Sequence, residues 1–359
     1  MTKPSLHVVV PGALDQCTGG YIYDAHMVEG LRGLGWRVDV HNLSGGFPES
    51  DSEARSSLAS TLSLISDGAR VVIDGLAMGG LPELVQAESD RLRILALVHH
   101  PLADETGIEE SQRRRRETLE RNGLAACVGV LVTSEFTAKR LEAYGVDPER
   151  IRVAIPGVDP VRHAVGPATG CAPSLLCVGA VTPRKGQRIL VLALAELVDL
   201  AWTCVCVGSL ERDPNYSKLV RELTSRVGLT GRVRFVGECA SAELETFYHH
   251  ASLFVLPSYY EGYGMALAEA LARGLPVVST TGGAIPDTVA GDASVLVQPG
   301  DVSSLVGAMR RLLSGVEGGE RRSGLATAAR RRADQLPSWR QAASAFANAT
   351  LTLTPDGDF

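Results

Sequence analysis

The chain has 359 residues, too many for one typical core and matched to two domains of about 150 to 200 residues. Its 45% hydrophobic and 21% charged content, with 38 glycines, describes a well-packed α/β protein and excludes disordered and fibrous classes. A net charge of −6 excludes a nucleic-acid binder, which needs clustered positive charge. The seven cysteines (Cys17, Cys127, Cys171, Cys177, Cys204, Cys206 and Cys239) form no C-x-x-C pair and no zinc-like spacing. An odd number without such spacing excludes a disulfide framework and reads as reduced thiols of a cytoplasmic protein.

The opening segment "MTKPSLHVVVPGALD" has one short apolar run that enters a glycine loop, so it predicts a first β-strand rather than a signal peptide or membrane span. Short apolar runs bounded by turn residues then alternate with amphipathic segments, the pattern of β-α units around a parallel sheet. Strands are predicted at 6–11, 36–41, 70–74, 93–100 and 128–134, with helices near 20–34, 52–66, 108–122 and 135–143. The stretch "VRHAVGPATGCAP" (161–173) has no periodicity and reads as an interdomain linker. Alternation restarts with strands at 174–180, 203–209, 232–238, 252–258, 275–280 and 294–299, with helices between them. This divides the chain into residues 1–158 and 159–337, with a last helix over 338–359 predicted to pack back on the first domain. Two doubly wound sheets in tandem place the carboxyl ends of their strands, where such folds bind ligands, at a shared cleft.

Several loops at those strand ends carry chemistry. After the first strand, Gly19 and Gly20 precede a helix and either let backbone amides cradle a phosphate or sugar or simply make a tight turn. The segment is not G-x-G-x-x-G, and Asp39 lies inside its strand, so a dehydrogenase is excluded. "LVHHPLADETG" ends a strand with His99 and His100; neighbours on extended chain point to opposite sides, so at most one of them faces a ligand, with His99 favoured, and the alternative is a structural pair. Arg184 and Lys185, in the loop before Gly186, either neutralise a diphosphate or are two solvated charges in a turn. In "PSYYEGYGMALAEALARGLP" a helix starts near Gly264, with Glu261 before it and Glu269, eight positions later, inside it. The amides of Gly264, Met265 and Ala266 would attract a phosphate, while carboxylates on either side accept hydrogen bonds from vicinal hydroxyls. That combination suits a nucleotide sugar.

These segments, together with "VTSEFTAKRL", "IPGVDP", "TGGAIPDTV" and the late "SW", resemble the family-4 glycosyltransferases over most of the chain. The resemblance implies the GT-B fold: α/β, two Rossmann-like domains facing across a cleft. It further implies retaining transfer of a hexose from a UDP- or GDP-sugar to a small-molecule or lipid-linked acceptor, with no metal and no separate cofactor. Carried residue by residue, Glu261 would bind hydroxyls of the donor sugar and Glu269 the ribose. Lys185 and Arg184 would hold the diphosphate with the backbone of Gly262, Tyr263, Gly264, Met265 and Ala266. Backbone near Glu238 and Cys239 would seat the base. Gly179 matches the family's glycine, but Ala180 stands where many members carry arginine, which removes one expected cation; Arg184, where many carry glutamate, would compensate. An epimerase or hydrolase of the same architecture, or a nucleotide-sugar-binding protein with weakened catalysis, are the alternatives. The run "RRRR" at 113–116 would give weak contact with an anionic membrane, or else a solvated helix face, which the interspersed glutamates favour.

Overall fold

The structure is a computed structural model that describes residues 3–289 and 291–355; the last four residues of the predicted terminal segment lie outside it. In chain order the first elements are β1 (Ser5–Pro11), α1 (Gly19–Gly33), β2 (Arg37–Leu43), α2 (Ser52–Leu64), β3 (Arg70–Asp74), α3 (Gly75–Met78), α4 (Pro82–Glu88), β4 (Arg93–Val98), α5 (Glu110–Ala126), β5 (Gly129–Val132), α6 (Glu135–Glu142) and β6 (Ile151–Val153). There follow β7 (Ser174–Val178), α7 (Gln187–Ala195), β8 (Thr203–Val207), α8 (Pro214–Arg226), β9 (Val233–Gly237), α9 (Ser241–His249) and β10 (Leu253–Leu256). The chain ends with α10 (Met265–Ala272), β11 (Val277–Thr280), α11 (Ile285–Val289), β12 (Ser294–Val297), α12 (Val302–Leu313), α13 (Gly315–Ala333) and α14 (Trp339–Leu353). Two compact units result: Met1–Gly157 with Pro337–Phe359, and Val158–Leu336.

The first unit is a six-stranded parallel sheet of order β2-β1-β3-β4-β5-β6. The middles of β3, β4 and β5 are apolar because helices cover both faces, and Val9, Ile73, Leu95, Ala96 and Val130 are fully buried. Helix α14 closes this unit by packing on α1. A Cβ at Gly30 would collide with Ala343, the His26 ring stacks on Trp339 at 3.8 Å, and Phe346 is buried against Tyr23. The capping box of Ser338 and Gln341 starts α14, and Arg70 holds its end by donating to the Thr354 carbonyl.

Two features here were not legible in the periodicity. Strand β6 has three residues, too few for an apolar pattern before Pro156 and Gly157, yet it pairs with β5. Helices α3 and α4 are broken by Gly79, Gly80 and Pro82 into pieces shorter than a helical repeat needs.

The second unit is another six-stranded parallel sheet, of order β12-β11-β10-β7-β8-β9. Leu175, Phe254, Val255, Val277 and Val278 form its centre, with Leu190, Leu267 and Leu305 from the covering helices. Among the described residues no helix is long and apolar enough to cross a membrane. Four arginines of α5 pair with acids: Arg113 and Arg114 with Glu110, Arg116 with Glu49 and Arg121 with Glu117.

Candidate active site

In each sheet the strand order reverses once, and doubly wound folds bind ligands outside the carboxyl ends of the two strands at that point. In the second unit the two strands are β7 and β10. The β7 loop carries Arg184 and Lys185; the β10 loop carries Glu261.

The two loops are locked together. Gly186 has φ 73°, and a Cβ there would strike the Pro257 carbonyl, so only glycine lets the β7 loop lie on the exit of β10. The Tyr259 amide donates to the Arg184 carbonyl at 2.7 Å. Lys185 Nζ then reaches Glu261 Oε1 at 2.7 Å and Oε2 at 2.9 Å. Ser258 Oγ donates to Oε1 at 2.6 Å, and Arg184 Nη1 lies 3.4 Å from Oε2 and 3.0 Å from the Tyr260 carbonyl. Burial of Glu261 works against its charge, but Lys185 and then Arg184 outweigh it and hold the carboxyl below its usual range. A strand-like bridge from Glu261 to Gly283, with the Ala284 amide donating to the Glu261 carbonyl at 2.8 Å, fixes the loop from the β11 side.

Helix α10 starts immediately beyond. Its N-cap, Gly264, has φ 94° and provides no side-chain cap, whereas Asp51, Ser134, Asp213, Asp301 and Ser338 cap other helices with their side chains. The amides of Met265 and Ala266 find no acceptor among the described residues, which leaves the positive end of α10 open. Glu269 lies on the same helix, its Oε2 accepting from Tyr248 Oη at 2.9 Å. Burial raises its pKa, with the Tyr248 bond opposing the rise. Arg273 lies over the Tyr248 ring at 4.2 Å.

Gly179, Arg184, Lys185, Gly262, Tyr263 and the start of α10 therefore form one cluster at this sheet edge. Gly179 lies under the Lys185 stem, where a Cβ would be 3.3 Å from Cδ. The Ala180 carbonyl accepts from Gln187 Nε2 at 3.0 Å. Gly262 and Tyr263 are buried, with Thr288 Oγ1 donating to the Tyr263 carbonyl. Glu238, exposed, and Cys239, half-buried, follow β9 at the same carboxyl edge, two strands along from β7.

Gly19, Gly20, His99 and His100 belong to the first unit, whose order reverses at β1 and β3. Helix α1 begins at Gly19 without a side-chain cap. Gly20 faces the His99 ring, and a Cβ there would be 3.2 Å from Cδ2. His99 Nε2 lies 3.1 Å from Asp24 Oδ1 and 3.5 Å from Asp74 Oδ2; His100 Nε2 lies 3.6 Å from Glu105. Burial disfavours a charged His99, but Asp24 and then Asp74 outweigh it and lift its pKa to about 10. Asp24, raised to about 6 first by its burial, shares this cluster. Asp24, Asp74 and His99 each offer an atom within 4.8 Å of the others, close enough for a metal ion. A cation there would compete with the imidazole for the same carboxylate oxygens.

Sequence reasoning missed Asp24, Asp74, Ser258 and Tyr248. Asp74 had a signal, as an acid closing the strand run "RVVID", and so had Asp24, one helical turn after Gly20.

Two doubly wound parallel sheets with flanking helices define the GT-B class. Sucrose-phosphate synthase from Thermosynechococcus elongatus has this fold with a TM-score of 0.80 at 23% identity, over 96% of this chain and 98% of that one. Anabaena HepE in complex with UDP-glucose gives 0.77 at 17% identity, over 95% and 98%. Residues 71–162 match the model for Glycosyltransferase Family 4, and residues 172–315 that for Glycosyl transferases group 1. The chain belongs to the family-4, group 1 glycosyltransferases. A D-inositol 3-phosphate glycosyltransferase from Acidothermus cellulolyticus is 31% identical over 62% of this chain and 53% of its own length. The chain spans about half the length of most of the curated relatives it matches.

Proposed function

We propose that the chain transfers a hexosyl group, with retention of anomeric configuration, from a UDP- or GDP-sugar to a hydroxyl of a small-molecule or lipid-linked acceptor. The observation that carries this reading is the cluster of Lys185, Arg184 and Glu261 beside the uncapped start of α10, with Glu269 inside that helix. Departure of the sugar breaks its C1–O bond, and the electron pair leaves with the phosphate oxygen, so one further negative charge develops on a diphosphate that already carries two. Lys185, Arg184 and the open amides of Met265 and Ala266 are fixed donors for that charge, and they supply it without requiring a metal. Glu261, anchored by Ser258, accepts from sugar hydroxyls; Glu269, oriented by Tyr248, accepts from the ribose; backbone near Glu238 and Cys239 seats the base. Arg184 stands in for the cation that Ala180 cannot provide. Gly19, Gly20, His99 and His100 serve the reacting sugar and the acceptor. That the Acidothermus relative is named for an inositol phosphate and HepE for a complex with UDP-glucose supports a nucleotide-sugar donor and a polyol acceptor.

The test is incubation of the full chain with labelled UDP-glucose, UDP-galactose, GDP-mannose and related donors, with and without polyol and sugar-phosphate acceptors, followed by NMR of the product. Transfer giving the donor's own anomer supports the reading. Release of an epimerised free sugar, or tight binding with no turnover under any acceptor, would replace it with an epimerase or a binding protein.

A further inference from the structure

The first unit contains a cluster that donor binding does not explain. His99 follows β4, and its Nε2 edge is enclosed: Asp24 Oδ1 lies at 3.1 Å, Asp74 Oδ2 at 3.5 Å, and Gly20 faces the same edge, where a Cβ would be 3.3 Å from Nε2. Tyr23 meets the ring edge-on at 5.5 Å, and Thr133 Oγ1 donates to the His99 carbonyl at 3.4 Å. Asp74 is itself fixed, because its Oδ1 accepts from the Leu76 amide at 2.6 Å as the cap of α3. Asp24 is buried, and its Oδ2 has no partner, so its charge is balanced by His99 alone. On the opposite edge Nδ1 makes no hydrogen bond among the described residues, and 19% of the side chain is exposed.

Two carboxylates on one nitrogen require that nitrogen to carry a proton, since two acceptors cannot bond a third. The remaining question is whether Nδ1 carries one too. A neutral ring would present Nδ1 as an acceptor, able to take a proton from a hydroxyl; an imidazolium would present a donor. The charged or titratable groups around the ring are Asp24 and Tyr23 from α1 and Asp74 from β3, with Glu105 beyond the neighbouring His100. No cation is among them, and the two nearest are acids.

We propose that Asp24 and Asp74 are positioning residues that commit the Nε2 proton of His99 inward and keep the ring an imidazolium, so that Nδ1–H donates to an oxygen of the sugar or phosphate in transfer and His99 is not a general base. The identity of that oxygen rests on the glycosyltransferase reading; the charge and orientation of the ring do not.

The experiment is long-range proton–nitrogen NMR of the full chain labelled with ¹⁵N-histidine, with the His99 signal assigned through His99→Gln. The expected result is an imidazolium pattern for His99 from pH 6 to 8.5, across which exposed histidines become neutral. In Asp74→Asn and Asp24→Asn its midpoint should fall by at least a pH unit. A wild-type His99 that is neutral at pH 7, or that titrates identically in both variants, overturns the proposal. So does displacement of the imidazolium signal by micromolar Zn²⁺ or Mn²⁺, which would make the three groups a metal site. Should Asp24→Asn not fold, Asp74→Asn decides, because that residue is the more distant of the two. A loss of transferase activity for any donor with the imidazolium intact would sink the functional reading and leave this one standing. With an active donor and acceptor, the wild-type kcat/KM should show no rise between pH 5.5 and 7.5 from His99, and Asp74→Asn should bring an alkaline fall into the neutral range.

Discussion

Lys185 and Glu261 are 76 residues apart in the chain, yet the ammonium lies 2.7 Å and 2.9 Å from the two carboxylate oxygens. They meet because β7 and β10 are neighbours in the sheet and each sends its loop out at the same edge. A buried carboxylate that loses its cation is left uncompensated, at a cost of about 3 kcal/mol. Lys185→Ala should therefore lower stability by about that amount and kcat by about 10²- to 10³-fold. Adding Glu261→Gln should recover much of the stability but none of the activity, measured by urea unfolding and by turnover.

The same pair has a pH signature. The Glu261 carboxyl is held below its usual range, so its contribution is present above the ordinary carboxylate value of about 4.3 and disappears as pH falls through the folded value. Unfolding curves of Lys185→Ala should lack this acid-side loss, and an identical acid profile in both proteins would contradict the pairing.

Tyr248 orients Glu269 without touching the solvent, its ring stacked near Phe254. Tyr248→Phe keeps that packing and removes one hydrogen bond to a carboxylate, worth about 1.5 to 3 kcal/mol. Nucleotide-sugar affinity should fall roughly tenfold or more by calorimetry, with a far smaller change in the affinity for free diphosphate.

Glu120 is fully buried, and its carboxyl accepts from the Leu102 amide just beyond the His99–His100 turn. Burial raises its pKa to about 8, so a raised folded value means that its stabilising effect is complete below about 4.5 and is lost as pH climbs through 8. Across that window this group makes stability decline by at most about 1.4 kcal/mol per pH unit. Glu120→Gln should flatten the decline between pH 5 and 8 in denaturant titrations.

Gly20→Ala places a methyl 3.2 Å from Cδ2 of His99, close enough that the ring has to move. Turnover should drop at least tenfold while the melting temperature changes by a few degrees at most, because the helix gains a better former. An unaltered rate would remove His99 from the reacting end of the site.

Much of the fold was legible because buried parallel strands are nearly continuous apolar runs, as in "LHVVV", "RILALV" and "LFVL". The order of those strands was not, since nothing local in β7 or β10 records that Leu175 and Leu253 pair, 78 positions apart. Glu261, Lys185 and the start of α10 stood out because charge and glycine coincide at strand exits. Tyr248 did not, sitting beside His249 and His250 in "FYHHA", with a partner 21 residues on that only packing reveals. Asp24 carried only its place one turn after Gly20, and nothing local ties it to His99, 75 residues on.

On the proposed function, the edge formed by β7, β10 and α10 holds a nucleotide sugar through Glu269. The most direct test is titration calorimetry of UDP- and GDP-sugars against the full chain and its Glu269→Ala variant. The expected result is saturable binding of at least one donor by the wild type and a loss of tenfold or more in the variant, with the fold retained. Equal affinity in the two proteins, or no binding of any nucleoside diphosphate sugar, would contradict it.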